Sequence, residues 1–517
     1  MASAPIRSLS RRQLIAGVAG ALPFFAPGLL HANNVGSDRK VFSLGVGSGY
    51  PQQQSVVLWT RLAPEPARSD GGLPPVDIPV RVQVARDPAM RNIVREGHAT
   101  AEAAWAHSVH VEVDGLDPNR WYWYRFEAMG QQSDVGRTRT MPVDDATPMR
   151  AGIGSCQLFE FGHYAAYRQM VDDDPDLIVH LGDYIYEGTV ENAVRSLPIG
   201  SSRTLSDYRT RYAWYRSDPL LRRAHAHCPW LAVWDDHEVE NDYAGDLSRY
   251  TDQASFMQRR AAAYQAYYEH MPLPASMRPD QRGMKIYGEF QFGTLARWLL
   301  LDGRQYRHTM RCDGSLAGGG DPVFAEDCKA LLDPSRSFLG HEQRDWLLGR
   351  LPQRSAHWNL IAQPTVFAHT TLGRSGRQWL HTDSWDGYPL ERERILAAMA
   401  DASVRNPVVF SGDVHVFYAN SLHQRDRPES HAVGAEFVCG AITTPPPSKR
   451  YVQMVQAARP SVRYANPDYR GYVSVVLNRE QLQVDMMGVT DITRPDSAVR
   501  RLARFVLASG QSVPQLG

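Results

Sequence analysis

Hydrophobic and polar positions change their rhythm along the chain. From about residue 40 to 143 they alternate in short runs, at 55–61, 79–85, 108–113 and 121–128. Turn clusters such as Asp70-Gly71-Gly72 and Asp117-Pro118-Asn119 separate the runs. Strands at this spacing predict an all-β sandwich, similar to immunoglobulin or fibronectin modules, over residues 38–145. Near Pro148 the rhythm becomes that of a βαβ chain: a strand at 150–154, a helix at 162–171, and a buried strand at 177–181. Further buried runs follow at 229–234, 295–301, 358–362 and 407–410, with helices at 252–270 and 341–351. Residues 471–487 alternate as an edge hairpin would. Residues 148–517 therefore read as a layered α/β or α+β domain.

The first 35 residues follow a different logic. Arg11-Arg12 precedes an uncharged, moderately apolar run over 15–30, then Ala32 and the polar Asn33-Asn34. Basic, apolar and small-residue zones in that order predict a secretory signal over residues 1–33, and the paired arginines are similar to a twin-arginine export signal. The expected location is periplasmic or secreted. The run is short and rich in Gly, Ala and Pro for a bilayer span, and no stable membrane span is expected elsewhere.

Composition narrows the partners. Lys plus Arg and Asp plus Glu are 56 each in 517 residues, so no net charge argues for nucleic acid or an anionic membrane. A monomer is the expected state. Of the five cysteines, Cys312 and Cys328 flank the Gly-rich segment 314–321 and are the expected disulfide; Cys228 and Cys439 sit in apolar runs as buried small hydrophobes.

The chemistry lies just beyond the apolar strands. Ser155-Cys156 follows the first, Gly182-Asp183-Tyr184-Ile185-Tyr186-Glu187 the second, and Asp235-Asp236-His237-Glu238-Val239-Glu240-Asn241-Asp242 the third. Asp302-Gly303-Arg304 and Ser411-Gly412-Asp413-Val414-His415 follow two more. Carboxyl ends of strands form the ligand crevice of α/β sheets. Taken singly, a Gly-Asp is an ordinary turn, Asp236-His237 an ordinary cap, and Cys156 or Tyr186 an ordinary core residue. Together, carboxylates, imidazoles and Asn241 suit hard cations, and a thiolate or tyrosinate adds affinity for ferric iron. Such clusters acidify water and neutralise a phosphoryl transition state. Trp385 and Tyr388, between Asp383 and Gly387 or just after, read equally well as loop packing or as the rim of a substrate mouth.

These motifs, with Gly154-Ser155-Cys156-Gln157, His180-Leu181-Gly182-Asp183 and Asp383-Ser384-Trp385-Asp386-Gly387-Tyr388, resemble the alkaline phosphatase D (PhoD-like) family over nearly the whole chain. The resemblance implies a metallophosphatase-type α/β sandwich holding Fe(3+) and Ca(2+). It implies Cys156, Asp183 and Tyr186 on iron, with Asp183 bridging to calcium. It places Asn241 and Asp413 on calcium, and Asp236 and His415 as further ligands or supports. His237 and Arg304 are the candidates for gripping phosphate or protonating the leaving oxygen, on chemistry rather than resemblance. The expected function is hydrolysis of small-molecule or lipid phosphate esters by metal-activated water, with a phospholipase-type phosphodiesterase on the same site as the alternative. From another class comes an exported, non-enzymatic binding protein with structural metals. The spread of thiol, phenol, imidazole and carboxylate over several strand ends weighs against it.

Overall fold

A computed structural model describes residues 39–517, apart from positions 281, 375, 427 and 428. The expected export signal lies outside the described residues. Residues Lys40–Gly517 form one compact unit.

Two mixed sheets build its centre. In the larger, of ten strands, Met149–Gly154, Leu177–Leu181 and Trp230–Val233 run parallel side by side. In the smaller, of seven, Ala296–Leu300, Trp358–Ala362, Pro407–Ser411 and Ala432–Val438 do the same. The pleat explains how the smaller sheet serves two layers. Trp298, Leu360, Val408 and Phe410 point into the core shared with the larger sheet. Their neighbours Leu299, Ile361 and Val409 point the other way, against the helices His341–Arg350 and Pro389–Met399. Contacts such as Phe437 against Phe505, with ring centroids 6.0 Å apart, join the two sheets.

Helices Ala165–Asp172, Leu205–Arg216, Pro219–His227 and Gln253–His270 pack with the larger sheet. The sequence reading passed over the second and third, yet both carry start signals. Thr204 and Asp207 form a capping box, and Asp218 caps a helix that begins with Pro219.

The N-terminal strands divide between two sheets. Ile93–Ala101, Ile78–Ala85, Trp121–Ala128, Gln131–Gln132 and Gly136–Arg139 form a five-stranded sheet. Val46–Gly49, Val56–Arg61 and Ser108–Val113 instead extend the ten-stranded sheet, because Gly49 pairs in parallel with Trp230. A Cβ at Gly49 would stand 2.4 Å from the Pro272 carbonyl oxygen, so only glycine lets the backbone this close.

The C-terminal hairpin is Arg470–Leu477 with Gln481–Val489, and it does not lie at an edge. The first of its strands pairs with Met149–Gly154, and Val499–Ala508 and Gln515–Leu516 add beyond the second. Alternation reports one half-buried face and is silent about strand position. Among the described residues, no helix is long and apolar enough to cross a membrane.

Candidate metal centre

The loops after the parallel strands converge, and their backbone is bent to do so. Cys156, Asp183, Asp242, Asp413 and His415 all have φ between 55° and 65°, in the left-handed region that non-glycine residues avoid. Such strain persists only where the surroundings over-determine it, and it clusters at functional sites. At Asp183 the cause is visible. The buried Glu238 carboxylate accepts the backbone N–H groups of Asp183 at 3.1 Å, Tyr184 at 2.5 Å and Asp235 at 2.8 Å. One side chain thus ties two strand ends together. Gly182, with φ of 103°, has no room for a Cβ, which would stand 2.7 Å from the Asp235 backbone nitrogen.

Two groups of possible ligands result, and they share Asp183. Cys156, Asp183 and His415 have donor atoms within 4.8 Å of one another, as do Asp183, Asp236 and His237. The Tyr186 hydroxyl donates to Asp183 Oδ2 at 2.8 Å and lies 3.3 Å from His415 Nε2. Asp183 Oδ1 is buried with no hydrogen-bond partner. His415 Nδ1 is 2.8 Å from the Pro445 carbonyl, which can only accept. The ring proton therefore sits on Nδ1, and the Nε2 lone pair faces the site. Burial lowers the His415 pKa to about 3, so the imidazole is neutral, as a ligand must be.

The charge balance is strongly negative. Burial pushes Asp413 and Asp242 up to about 7, with Asp383 and Asp236 nearby adding repulsion. Burial lifts Asp235 to about 8 despite Arg304. Burial, then repulsion from Asp183, raises the Cys156 thiol well above its ordinary range. Burial also raises Asp183 and Tyr186. Acids this crowded call for cations, and a thiol, a phenol, a neutral imidazole and carboxylates are the donor set of a transition metal beside a harder cation. The residues fit such metals.

His237 stands at the opening. Its Nδ1 is 2.7 Å from Glu187 Oε2, its ring lies against Tyr186 at 4.2 Å between centroids, and its side chain is 21% exposed. Burial works against its charge, but Glu187, Asp236 and Asp183 outweigh it and raise its pKa well above the ordinary value. Glu187 also accepts the Asn241 backbone N–H at 2.8 Å, placing Asn241 beside the cluster. Asp413 accepts from Thr365 Oγ1, and its backbone lies beside the Cys156 sulfur.

Arg304 departs from the sequence expectation. Its side chain is 0% exposed, and its donors are taken by Asp235 (2.6 and 3.3 Å) and Asp383 (2.5 and 3.0 Å). It is enclosed by carboxylates and does not reach the opening, so it positions Asp235 and Asp383 and does not grip phosphate. Trp385 and Tyr388 pack: Trp385 stacks on Phe338 at 4.0 Å, and Tyr388 is buried with its hydroxyl on the His308 carbonyl.

The sequence reading missed Glu187, Asp235, Glu238, Thr365 and Thr444 as contributors. The first three stood inside the quoted motifs. The threonines follow buried strands as the other site residues do, and Thr444 Oγ1 is 2.9 Å from the Tyr186 hydroxyl. The expected Cys312–Cys328 disulfide forms, and Cys228 and Cys439 are free and buried. Within its loop, Gly319 N donates to the Asp242 carbonyl at 2.7 Å, Gly320 N to Asp242 Oδ2 at 3.3 Å, and Asp321 N to Thr382 Oγ1 at 2.9 Å. A Cβ at Gly320 would stand 2.6 Å from that of Asp383, so the loop lies tight against the wall of the site.

Two family models match the chain: the PhoD-like phosphatase model over residues 152–486 and the PhoD-like phosphatase N-terminal domain model over residues 29–142. Alkaline phosphatase D of Bacillus subtilis (strain 168) is 41% identical, over 98% of this chain and 88% of its own. A solved structure described as that of PhoD superposes with a TM-score of 0.87 at 41% identity, covering 94% of this chain and 93% of that one.

Proposed function

From the premise that the chain belongs to the PhoD-like phosphatase family and is a phosphoric ester hydrolase, we propose that it works through a metal cluster centred on Asp183. The observation that carries this is that Asp183 groups with Cys156 and His415 and also with Asp236, with one carboxylate oxygen left without a partner. Cys156, Asp183, Tyr186 and His415 would hold ferric iron. Asp183, Asp236, Asn241 and Asp413 would hold calcium. When bound, these metals supply Lewis acidity toward the phosphoryl oxygens and acidify water for attack.

The chain's own groups do the rest. Glu238 fixes the backbone of Asp183, and Arg304 bridges Asp235 and Asp383. His237, fixed through Nδ1 by Glu187 and partly exposed, would deliver a proton to the leaving oxygen. Glu187 stabilises the imidazolium until then. Ser155 and Ser411 are not the nucleophiles in this scheme: the Ser411 hydroxyl is engaged with Glu436 and Gln363, and the Ser155 hydroxyl is buried with no carboxylate or imidazole bonded to it.

The proposed architecture is a metallophosphatase-type α/β sandwich over 148–517 behind an immunoglobulin-like or fibronectin-like segment over 38–145 that carries no chemistry. The N-terminal pattern supports export through the twin-arginine route to the periplasm or beyond, and the proposed substrates are small-molecule or lipid phosphate esters.

The test is elemental analysis of the purified protein together with hydrolysis of p-nitrophenyl phosphate and bis-p-nitrophenyl phosphate. Iron and calcium with turnover of either ester are expected, and the ratio of the two rates assigns monoester or diester preference. A visible charge-transfer band lost in Tyr186→Phe would place the phenolate on iron. Full activity in metal-free protein would overturn the proposal.

A further inference from the structure

Thr444 stands where loops from the two sheets meet at the metal centre. The strand Ala432–Val438 of the smaller sheet leads into it, whereas Cys156 and Tyr186 follow strands of the larger one. The residue is buried. Its Oγ1 lies 2.9 Å from the Tyr186 hydroxyl and 2.7 Å from the Cys156 carbonyl, and it accepts the Leu158 N–H at 3.3 Å. One hydroxyl thus touches two residues of the site.

The segment around it is stitched to the same neighbours. Ile442 N donates to the Ser155 carbonyl at 2.8 Å, and Thr443 Oγ1 to the Leu158 carbonyl at 2.7 Å. The carbonyl of the next residue, Pro445, accepts the His415 Nδ1–H at 2.8 Å. The buried Arg470 donates through Nη1 to the His415 carbonyl at 2.6 Å and to the Thr444 carbonyl at 3.1 Å. Cys156, Tyr186 and His415 come from three different strand ends, and residues 444–445 contact all three.

The Thr444 hydroxyl has one proton and two acceptors for it. The Cys156 carbonyl is also reached by the backbone N–H groups of Thr443, at 3.4 Å, and of Thr444, at 3.3 Å. The Tyr186 oxygen gives its own proton to Asp183, so toward Thr444 it can only accept. A phenolate there would be the stronger acceptor of the two, because charge on the acceptor shortens and strengthens the bond. A valine would fill the same space and donate nothing.

We propose that Thr444 is a positioning residue of the metal centre: its hydroxyl donates to the Tyr186 oxygen and fixes that oxygen relative to Cys156 and His415. This rests on the reading that Cys156, Tyr186 and His415 hold iron. Hydrogen-bond partners that orient metal ligands are worth about 10–100-fold in metal affinity.

The test uses the metal-loaded protein. Thr444→Val should hold iron about 10–100-fold more weakly against a competing chelator. Its tyrosinate-to-iron absorption should move to longer wavelength, because a hydrogen bond lowers the energy of the phenolate electrons that the band excites. Thr444→Ser keeps the hydroxyl and should restore both properties, which a packing role would not do, since serine lacks the methyl group. Should Thr444→Val fail to fold, the wild type decides: the tyrosinate vibrations in its resonance Raman spectrum should shift in heavy water, and indifference to the exchange would overturn the proposal. Unchanged absorption and iron retention in Thr444→Val would overturn it too, while leaving the iron reading intact. Iron-loaded wild type without such a band would refute the iron reading itself, and this proposal with it.

Discussion

Removing the Arg304 guanidinium separates two roles that the same residue type often plays at phosphate sites. In the structure it is a linchpin between Asp235 and Asp383, fully buried. Arg304→Met leaves those carboxylates facing each other and Asp236 without the cation that, with His237, holds its pKa low against burial. Breaking a buried charge pair by removing one partner costs roughly 3–5 kcal/mol. At roughly 2.1 cal/mol/K per residue, about 480 residues have an unfolding entropy near 1 kcal/mol/K, so the midpoint should fall by about 3–5 °C. Arg304→Lys keeps the charge but not the fork, and should fall between. Calorimetry at fixed pH and metal concentration reads the stability, and steady-state kinetics with metal analysis reads the site. A positioning residue lowers kcat and metal content together. A variant with unchanged midpoint and metal content but a much higher KM would refute the reasoning and restore Arg304 as a phosphate ligand.

Four further outcomes are expected. Asp183→Asn should lose bound metal and turnover together while keeping a native circular dichroism spectrum; near-normal turnover would remove Asp183 from the site. Glu238→Ala frees three backbone N–H groups and should cost about 2–3 kcal/mol, with weaker metal retention seen by competition with a chelator; retention equal to wild type would count against its role at Asp183. Cys312→Ser with Cys328→Ser opens a loop of 16 residues separation and should cost about 3 kcal/mol, read as a lower thermal midpoint; an unchanged midpoint contradicts the tether. Burial lowers the His110 pKa to about 4, against an ordinary value near 6.5, so the unfolded chain takes up its proton first. The stability involved is present above pH 6.5 and drains as pH falls toward 4; His110→Gln should flatten midpoint against pH in that window, and parallel curves would exclude it.

Much of this protein is written in single-residue periodicity. The buried runs at 358–362 and 177–181 coincide with the strands Trp358–Ala362 and Leu177–Leu181 because parallel strands covered on both faces are apolar nearly throughout, with Asn359 and His180 the exceptions here. Ile93–Ala101 escaped detection because its half-buried face carries Arg95, Gly97 and Ala99, with no large apolar side chain to mark it, while Glu96, His98 and Thr100 are exposed. The ligand residues were legible because each follows such a run, which is where a parallel sheet delivers side chains to one rim. What each of them touches was not legible. Arg304 and His237 look equally suited to phosphate in sequence, and only the enclosure of one by Asp235 and Asp383 separates them. The support from Glu238 was hidden for a related reason: it acts on backbone N–H groups, which every sequence has.

The join between Gly49 and Trp230 bears on any attempt to treat the N-terminal segment as a detachable part. Cutting the chain near Pro148 would strip Val46–Gly49 from the flank of Trp230–Val233 and unpair that strand's outer edge. The Tyr50 amide would leave the Trp230 carbonyl, and the Tyr50 hydroxyl the Ala232 carbonyl. A bare, hydrophobic strand edge recruits other chains. The same strand leads directly into Asp235 and Asp236. A shortened enzyme would thus be expected to precipitate, and a shuffled one would need a replacement strand at the same register before its metal ligands could be expected to align.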